Sequence, residues 1–215
     1  MIPIEKHSLS TEIFSILRDK IVFMEYPPGM ALSDKELCKT FKVSATPLRE
    51  AIRKLEEMRL VTVIPRYGTY VSSIDINEIR CAFEVKIKLE ALAGELAAKR
   101  ITADKLEALN ELIKKAEEPP NEDGHRRLIA TDTNFHEIIH QATQNPILEA
   151  MLSNIHCRCS RLWNSTLKER VPIPEVIQQL KEICLALKKR DSEKAARLLE
   201  NHVRYFIDLI KEQLL

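Results

Sequence analysis

Aspartate and histidine side chains in the second half of the chain have the types and spacing to bind a metal ion. Asp132, His136 and His140 follow one another at intervals of four residues in ATDTNFHEIIHQAT, which on a helix places them on one face. A carboxylate and an imidazole so spaced can share a divalent cation. His202, in LLENHVRYF, lies on an otherwise apolar stripe, where a buried histidine needs a polar partner. We therefore expect Asp132, His136 and His202 to converge on one cavity.

A second interpretation of these histidines stays open. A core histidine that hydrogen-bonds to a carbonyl or carboxylate would give the same pattern at position 202 without any metal. Taken by itself, His140 is expected at the surface. The residue types alone do not decide between a metal site and a hydrogen-bonded core.

The elements that must position these side chains are helical. Six blocks with helical periodicity follow residue 75, and they predict an antiparallel six-helix bundle over residues 76–215. The blocks cover residues 76–99, 102–117, 125–143, 147–169, 174–189 and 192–213.

The first third of the chain has a different order of elements. A helix over Ser10–Met24 is followed by a second helix that Ser33 caps with Glu36 three residues on, and by a third helix near SATP with Pro47 in its first turn. RLVTVIPRYGTYVSS then alternates and turns at RYG, which predicts a two-stranded hairpin. Helix, turn, helix and hairpin predict a winged helix-turn-helix DNA-binding domain over residues 1–72, in a mainly α protein.

Charge supports a nucleic-acid surface in this region. Residues 35–66 contain eight basic and four acidic side chains, although the net charge of the whole chain is only +1. Because the third helix of such a domain lies in the major groove, its outward residues and the wing tip are candidate DNA contacts. The alternative is a solvated basic surface on a small helical domain. The candidates are Lys35, Ser44, Thr46, Arg49, Arg53, Arg66, Tyr67 and Gly68.

Composition excludes several other classes. The 215 residues are 45% apolar and 30% charged, which is typical of a folded protein of one or two domains. No run of 18 apolar residues and no signal-peptide pattern occur, so we expect a cytoplasmic protein without a membrane span. The five cysteines lack framework spacing, and we expect them to be reduced.

The segment LSDKELCKTFKVSATPLREAIRKLEEMRLVTVIPRYGTYV resembles the DNA-binding domain of GntR-superfamily transcription regulators. The resemblance places Lys35, Ser44, Thr46, Arg49 and Gly68 at DNA-contacting positions. Ala45 departs from the family, which usually has arginine there. An arginine–guanine contact contributes about 1–3 kcal/mol of discrimination, so the operator is expected to differ from the common one or to be read less specifically.

The remainder, with KIKLEALAGELAA and DTNFHEIIHQATQNPIL, resembles the ligand-binding FCD domain of the FadR branch. Many members hold zinc, nickel or manganese with one Asp and three His. Asp132, His136 and His202 match three of these positions, but Leu180 stands near the fourth and cannot ligate. Either a metal binds and water or the effector completes its coordination shell, or the site binds no metal and holds only an organic ligand. Lys86 falls where the family often has arginine, and it would pair an effector carboxylate or remain a solvated charge.

The resemblance implies a homodimeric repressor of double-stranded operator DNA, controlled by a small-molecule effector, typically a carboxylate. The rival function is a metal-dependent enzyme with an accessory DNA- or protein-binding module, because three ligands and an open position also describe catalytic zinc sites. The sequence contains no phosphate-binding loop and no dinucleotide fingerprint, and we therefore expect no enzymatic activity. A purely structural helical dimer would leave the wing and its arginines unexplained.

Overall fold

A computed structural model describes residues 9–118, 124–166 and 172–214 of the chain. The chain divides into two compact units, Met1–Asp75 and Ile76–Leu215. The predicted fold class, a mainly helical protein with a small wing and a helical bundle, is confirmed. The roles given to the two predicted domains, residues 1–72 and 76–215, stay predictions, and their outer ends lie outside the described residues.

The first unit contains three helices and a small antiparallel sheet in the strand order β1–β3–β2. The predicted hairpin corresponds to β2 and β3, but β1 adds a third strand that was not predicted. Its two residues are too few to show a period, and they pair with β3 across the unit through Ala31–Tyr70 and Leu32–Thr69. The elements are α1 Leu9–Val22, β1 Ala31–Leu32, α2 Asp34–Phe41, α3 Ala45–Glu57, β2 Val61–Ile64 and β3 Gly68–Val71.

Local signals account for the way α2 and α3 meet. The Ser33 hydroxyl accepts a hydrogen bond of 3.3 Å from the Glu36 amide, which confirms the predicted cap of α2. Lys42 ends α2 in the left-handed conformation (φ 55°) and so turns the chain into α3. Ser44 precedes α3 without a side-chain capping bond. The core beneath these helices comes from α1, α3, β3 and the residue before β2. It contains Ile13, Leu17, Ile21, Leu48, Leu55, Leu60 and Val71.

The second unit contains the six predicted helices within the described residues. Their ends differ from the prediction by at most one residue, except that the predicted end of the fourth block at residue 169 lies outside the described residues. The helices are α4 Ile76–Arg100, α5 Ala103–Glu117, α6 Gly124–Ala142, α7 Pro146–Thr166, α8 Ile173–Lys188 and α9 Ser192–Leu214.

Helix α4 is the centre of this bundle. It packs most extensively on α9 and also contacts α6, α7 and α8. Gly94 allows the close approach of α9, because a Cβ at this position would lie 2.7 Å from the carbonyl oxygen of Ala195. Groups on the inner face of α4 are therefore within reach of side chains from four other helices.

Two further predictions concern the described residues. The five cysteines form no disulfide in the part of the chain that the structure describes, and three of them, Cys157, Cys159 and Cys184, are buried. Among the helices the structure describes, none combines the length and the apolar character that a membrane crossing needs.

Candidate nucleic-acid interface and buried histidine cluster

The start of α3 presents an open polar surface. Ser44, Thr46 and Arg49 are exposed there, and the side chain of Arg49 is 74% accessible. The Arg49 guanidinium lies 4.0 Å from the Asp34 carboxylate, and that of Arg53 lies 3.8 Å from Glu57. Such exposed pairs contribute little to stability, so both arginines remain available to an external anion.

The turn between β2 and β3 forms the tip of the wing. Arg66 has a φ of 69°, and Gly68 has a φ of 134°, a conformation that favours glycine. Tyr67 between them is 81% exposed, although large apolar or aromatic side chains usually find cover. Together with exposed Lys35 on α2, these residues complete the set of candidate DNA contacts, all of which are solvent-accessible.

In the second unit, α6 and α9 bring Asp132, His136 and His202 together. The His202 Nε2 atom lies 2.8 Å from Asp132 Oδ1, and His136 Nε2 lies 3.9 Å from the same oxygen. The ring centroids of His136 and His202 are 5.4 Å apart. All three residues are at most 2% exposed, so the two helices hold these polar groups inside the bundle.

His140 corrects the expectation of a surface position. It is 3% exposed, and its Nε2 atom lies 3.1 Å from Glu90 Oε1. The reason is that α6 contacts α4, α5 and α7, so the His136 face of α6 stays covered for another turn.

Lys86 is fully buried, which excludes its interpretation as a solvated charge. Its ammonium group is paired with the carboxylate of Glu90, one turn along α4, and lies 3.2 Å from His156 Nδ1. Lys86 thus already has an internal carboxylate partner. An effector carboxylate would have to compete with Glu90 for this ammonium group.

His156 and Glu90 are members of the cluster that sequence reasoning missed. His156, on α7, has its ring 4.9 Å from that of His136. Two overlapping groups therefore have ligand atoms within 4.8 Å of one another: Glu90, His136 and His156, and Asp132, His136 and His202. His136 is common to both.

A signal for the missed residues was present in the helical periodicity. Lys86 and Glu90 fall on the same stripe of α4 as buried Ile79, Phe83 and Ala93. His156 falls on the stripe of α7 that contains Leu148, Leu152 and Cys159, all buried. A charged or imidazole side chain on a core stripe requires a buried partner, and these three residues are partners of one another.

Burial and neighbouring charges shift the pKa values of the cluster. Burial alone would raise the pKa of Glu90, but His136 and Lys86 outweigh it and hold the pKa well below its usual 4.5. Similarly, burial would raise the pKa of Asp132, yet His136 and the hydrogen bond from His202 lower it from 3.8. Burial lowers the pKa of His136 and of His156 from 6.5, so these imidazoles are neutral at pH 7.

Helix α8 places an apolar side chain at position 180. Leu180 on α8 is fully buried and offers no ligand atom. Its neighbour Gln179 instead contacts the cluster, with Oε1 2.7 Å from His202 Nδ1. Helix α8 therefore reaches the site through a hydrogen bond.

The unpaired atoms of Asp132 and His136, together with His202, are suited to bind a divalent cation. Asp132 Oδ2 and His136 Nε2 are buried without a hydrogen-bond partner, and buried polar atoms of this kind are rare unless something binds them. One carboxylate and two imidazoles are a common ligand set for zinc, with a further position left for water or substrate. A cation bound there would supply a positive centre to which an anionic effector could bind.

A winged helix with an exposed recognition helix, joined to a bundle with a buried ligand-capable cluster, defines a DNA-binding regulator with a sensory domain. Residues 9–71 match the family model described as bacterial regulatory proteins, gntR family, and residues 81–205 match that of the FCD domain. The chain belongs to the gntR-family regulators that carry an FCD domain.

Similar proteins agree with this assignment. The HTH-type transcriptional repressor RspR of Escherichia coli is 26% identical over 204 residues, 95% of this chain and 90% of that protein. A probable D-xylose utilization operon transcriptional repressor of Paenarthrobacter nicotinovorans is also 26% identical, over 94% of this chain and 90% of its own length. The solved structure of E. coli McbR/YncC shares the fold, with a TM-score of 0.85, 23% identity and coverage of 97% and 99% of the two chains.

The chain is therefore a DNA-binding transcriptional regulator and not an enzyme, since its family and its similar proteins are regulators. The match to the FCD domain supports the modulation of this regulator by a ligand.

Proposed function

We propose that this protein is a repressor that binds a two-fold operator as a homodimer, and that a divalent metal and a small carboxylate effector in the bundle set its operator affinity. The observation that carries the proposal is the buried cluster of Asp132, His136 and His202 in a chain whose other unit is a winged helix. Two similar proteins are named as repressors, which supports the proposal that this protein represses transcription.

On the DNA side, Thr46 and Arg49 read base edges from the first turns of α3, and Ser44 and Lys35 bind phosphate. Arg66, Tyr67 and Gly68 at the wing tip enter the adjacent minor groove or bind phosphate, and Arg53 adds a backbone contact. The support for these roles is exposure at the helix start and wing that such domains present to DNA.

On the effector side, Asp132, His136 and His202 hold zinc, nickel or manganese, and water or an effector carboxylate completes the shell because Leu180 cannot. Lys86 pairs the remaining effector charge. Because Lys86 already binds Glu90, an arriving carboxylate would break that internal pair and so change how α4 packs. Such a change is a means by which the bundle could respond to its ligand.

A two-fold dimer is proposed because half-sites of an operator are read by symmetry-related copies. The apolar residues Ile79, Phe83 and Ile87 of α4 are at most 9% exposed and border a groove of about 390 Å³ between α4 and α9. Val85 and Leu92, 46% and 40% exposed on the same helix, are better candidates for a subunit contact. Sedimentation at micromolar concentration tests the dimer, and a species of only 24.8 kDa would exclude it.

Operator binding is tested by fluorescence anisotropy with a DNA fragment from the promoter upstream of the protein's own coding region. We expect binding that weakens linearly on a log–log plot as salt increases and that exceeds binding to a shuffled fragment. Equal affinity for the two fragments at every salt concentration would remove the proposal of a specific operator at that promoter.

A further inference from the structure

We propose that Glu90 and Gln179 are positioning residues of the metal site, which hold the imidazoles of His136 and His202 with Nδ1 protonated and Nε2 turned toward Asp132. This inference rests on the proposed function, since it concerns how the same site binds its metal. It assigns roles to one residue from α4 and one from α8, neither of which supplies a ligand in this arrangement.

His202 has a partner on each side of its ring. Gln179 Oε1 lies 2.7 Å from Nδ1, and Asp132 Oδ1 lies 2.8 Å from Nε2. Because the amide oxygen can only accept, Nδ1 carries a proton and donates it to Gln179. The other nitrogen, Nε2, therefore faces the Asp132 carboxylate, and a cation would be bound between Nε2 and this carboxylate.

His136 repeats this arrangement with a carboxylate in place of the amide. Its Nδ1 lies 3.0 Å from Glu90 Oε1, within hydrogen-bonding distance although not aligned for a bond, and its Nε2 lies 3.9 Å from Asp132 Oδ1. The Nε2 atoms of both imidazoles thus point toward one carboxylate. Metal-binding histidines commonly donate their second N–H to a carboxylate or carbonyl oxygen, which fixes the ring and raises its basicity.

The competing group, Glu90 with His136 and His156, already contains a positive charge. The Lys86 ammonium is paired with Glu90 and lies 3.2 Å from His156 Nδ1, so it occupies the space between two of the three ligands. A divalent ion there would have to displace Lys86 from a fully buried position. The charges thus favour metal on the Asp132 side of His136 and make Glu90 an outer partner.

Gln179 also explains what α8 contributes without a ligand at Leu180. The side chain one residue before Leu180 reaches His202 from the same helix. Gln178, its other neighbour, is exposed and bonds to Glu182, so it provides a matched control.

The test is zinc affinity and stoichiometry of the full-length protein, by competition with a chromophoric chelator, together with the visible absorption of the cobalt(II) form. Wild type should bind one metal per chain. Gln179→Leu should lower zinc affinity roughly 10–100-fold without changing the stoichiometry, as expected for an outer partner. Gln179→Glu should restore the affinity because a carboxylate accepts the same N–H, and Gln178→Leu should have no effect.

The double variant Lys86→Met/Glu90→Met removes the acceptor for His136 Nδ1 without leaving Lys86 unpaired, and it should produce a loss similar to that of Gln179→Leu. His202→Gln should produce a larger loss. The absorption band of cobalt should shift in Gln179→Leu, which general destabilisation would not cause. The inference is overturned if wild type binds metal and Gln179→Leu binds it equally well. It is also overturned if Glu90→Gln and His156→Gln abolish binding whereas His202→Gln does not, since metal would then occupy the other group. A wild type that binds no metal removes the proposed metal site itself and this inference with it.

Discussion

The two units use charged side chains in opposite ways. In the winged helix, candidate DNA contacts such as Arg49 and Tyr67 are exposed. The one ion pair of Arg49, with Asp34, is also exposed, and neither side chain is part of the core. In the bundle, Lys86, Glu90 and His136 are almost completely buried and lie within ion-pair distance of one another. Substitutions on an exposed DNA-binding surface can therefore leave the stability of the fold unchanged. Substitutions in the buried cluster change the core itself.

This contrast predicts how substitutions divide between binding and stability. Changes on the recognition surface should alter DNA affinity and leave unfolding unchanged. Changes in the cluster should alter both, because a buried charge without its partner destabilises the folded state.

The largest expected effect is that of Lys86→Met. It leaves the Glu90 carboxylate buried without its cation, and the free energy of unfolding should fall by about 3–5 kcal/mol in urea denaturation. The double variant Lys86→Met/Glu90→Met should recover most of this loss, because it removes the unpaired charge. A single variant as stable as wild type would show that the ion pair is not formed.

On the recognition surface, Arg49→Ala should weaken operator binding by about 1–3 kcal/mol if the side chain reads a base. Its thermal unfolding should match that of wild type, since surface substitutions change stability by less than about 0.5 kcal/mol. Lys189→Ala, an exposed lysine of the bundle, is the control and should change neither property. Wild-type affinity in Arg49→Ala would place the reading residues elsewhere.

Ala45→Arg should change which operator sequences bind best, by about 1–3 kcal/mol at a single base pair. Selection from a randomised DNA pool measures this preference for both proteins. The same preferred sequence from both would show that position 45 faces away from the bases.

Acidification should act on the bundle through its buried histidines. Burial lowers the pKa of His136 and His156, so below about pH 6.5 the unfolded chain takes up protons that the folded chain excludes. Stability should therefore fall as the pH decreases through this value, by about 1.4 kcal/mol for each unit of pKa difference once the pH is below both values. Below pH 4.5, loss of the Glu90 and Asp132 charges should destabilise it further, because their pKa values are lowered in the folded state.

The measurement is the melting temperature between pH 8 and pH 4, compared with that of His156→Gln. The variant lacks one of the two imidazoles and should show a smaller slope between pH 7 and pH 5. Identical slopes would mean that His156 does not contribute to the acid sensitivity.

The smallest effect is expected for Lys35→Ala. An exposed lysine at the backbone should lower binding to all DNA sequences equally and reduce the salt slope by about one unit. A loss confined to the operator would instead indicate base contact by Lys35.

Features of the fold that depend on neighbouring residues could be predicted from the sequence, whereas features that depend on distant residues could not. Where the sequence predicted a helix end that the structure describes, the two agree to within two residues. Helix ends depend on neighbouring residues, as in the capping of α2 by the Ser33 hydroxyl. Strand β1 was not predicted because its pairing with β3 joins residues that are distant in sequence.

In the site, Asp132 and His136 were recognised from spacing on one helix, and His202 from an apolar stripe. His140 was assigned to the surface because a single helix does not reveal which of its faces neighbouring helices cover. Glu90 and His156 were missed for the same reason, since they join the cluster only when α4, α6 and α7 pack together. Periodicity reports that a face is buried, and tertiary packing determines which polar groups meet there.

The central claim is that the bundle site controls operator affinity, and the most direct measurement is operator binding by wild type with and without bound zinc. Anisotropy titrations of metal-depleted and zinc-loaded protein should differ by about 5–150-fold, the usual range of coupling between two sites. The difference should disappear in His202→Gln, which retains the entire recognition surface. Equal operator affinity of the two wild-type forms, with one zinc per chain verified in the loaded sample, would contradict the account.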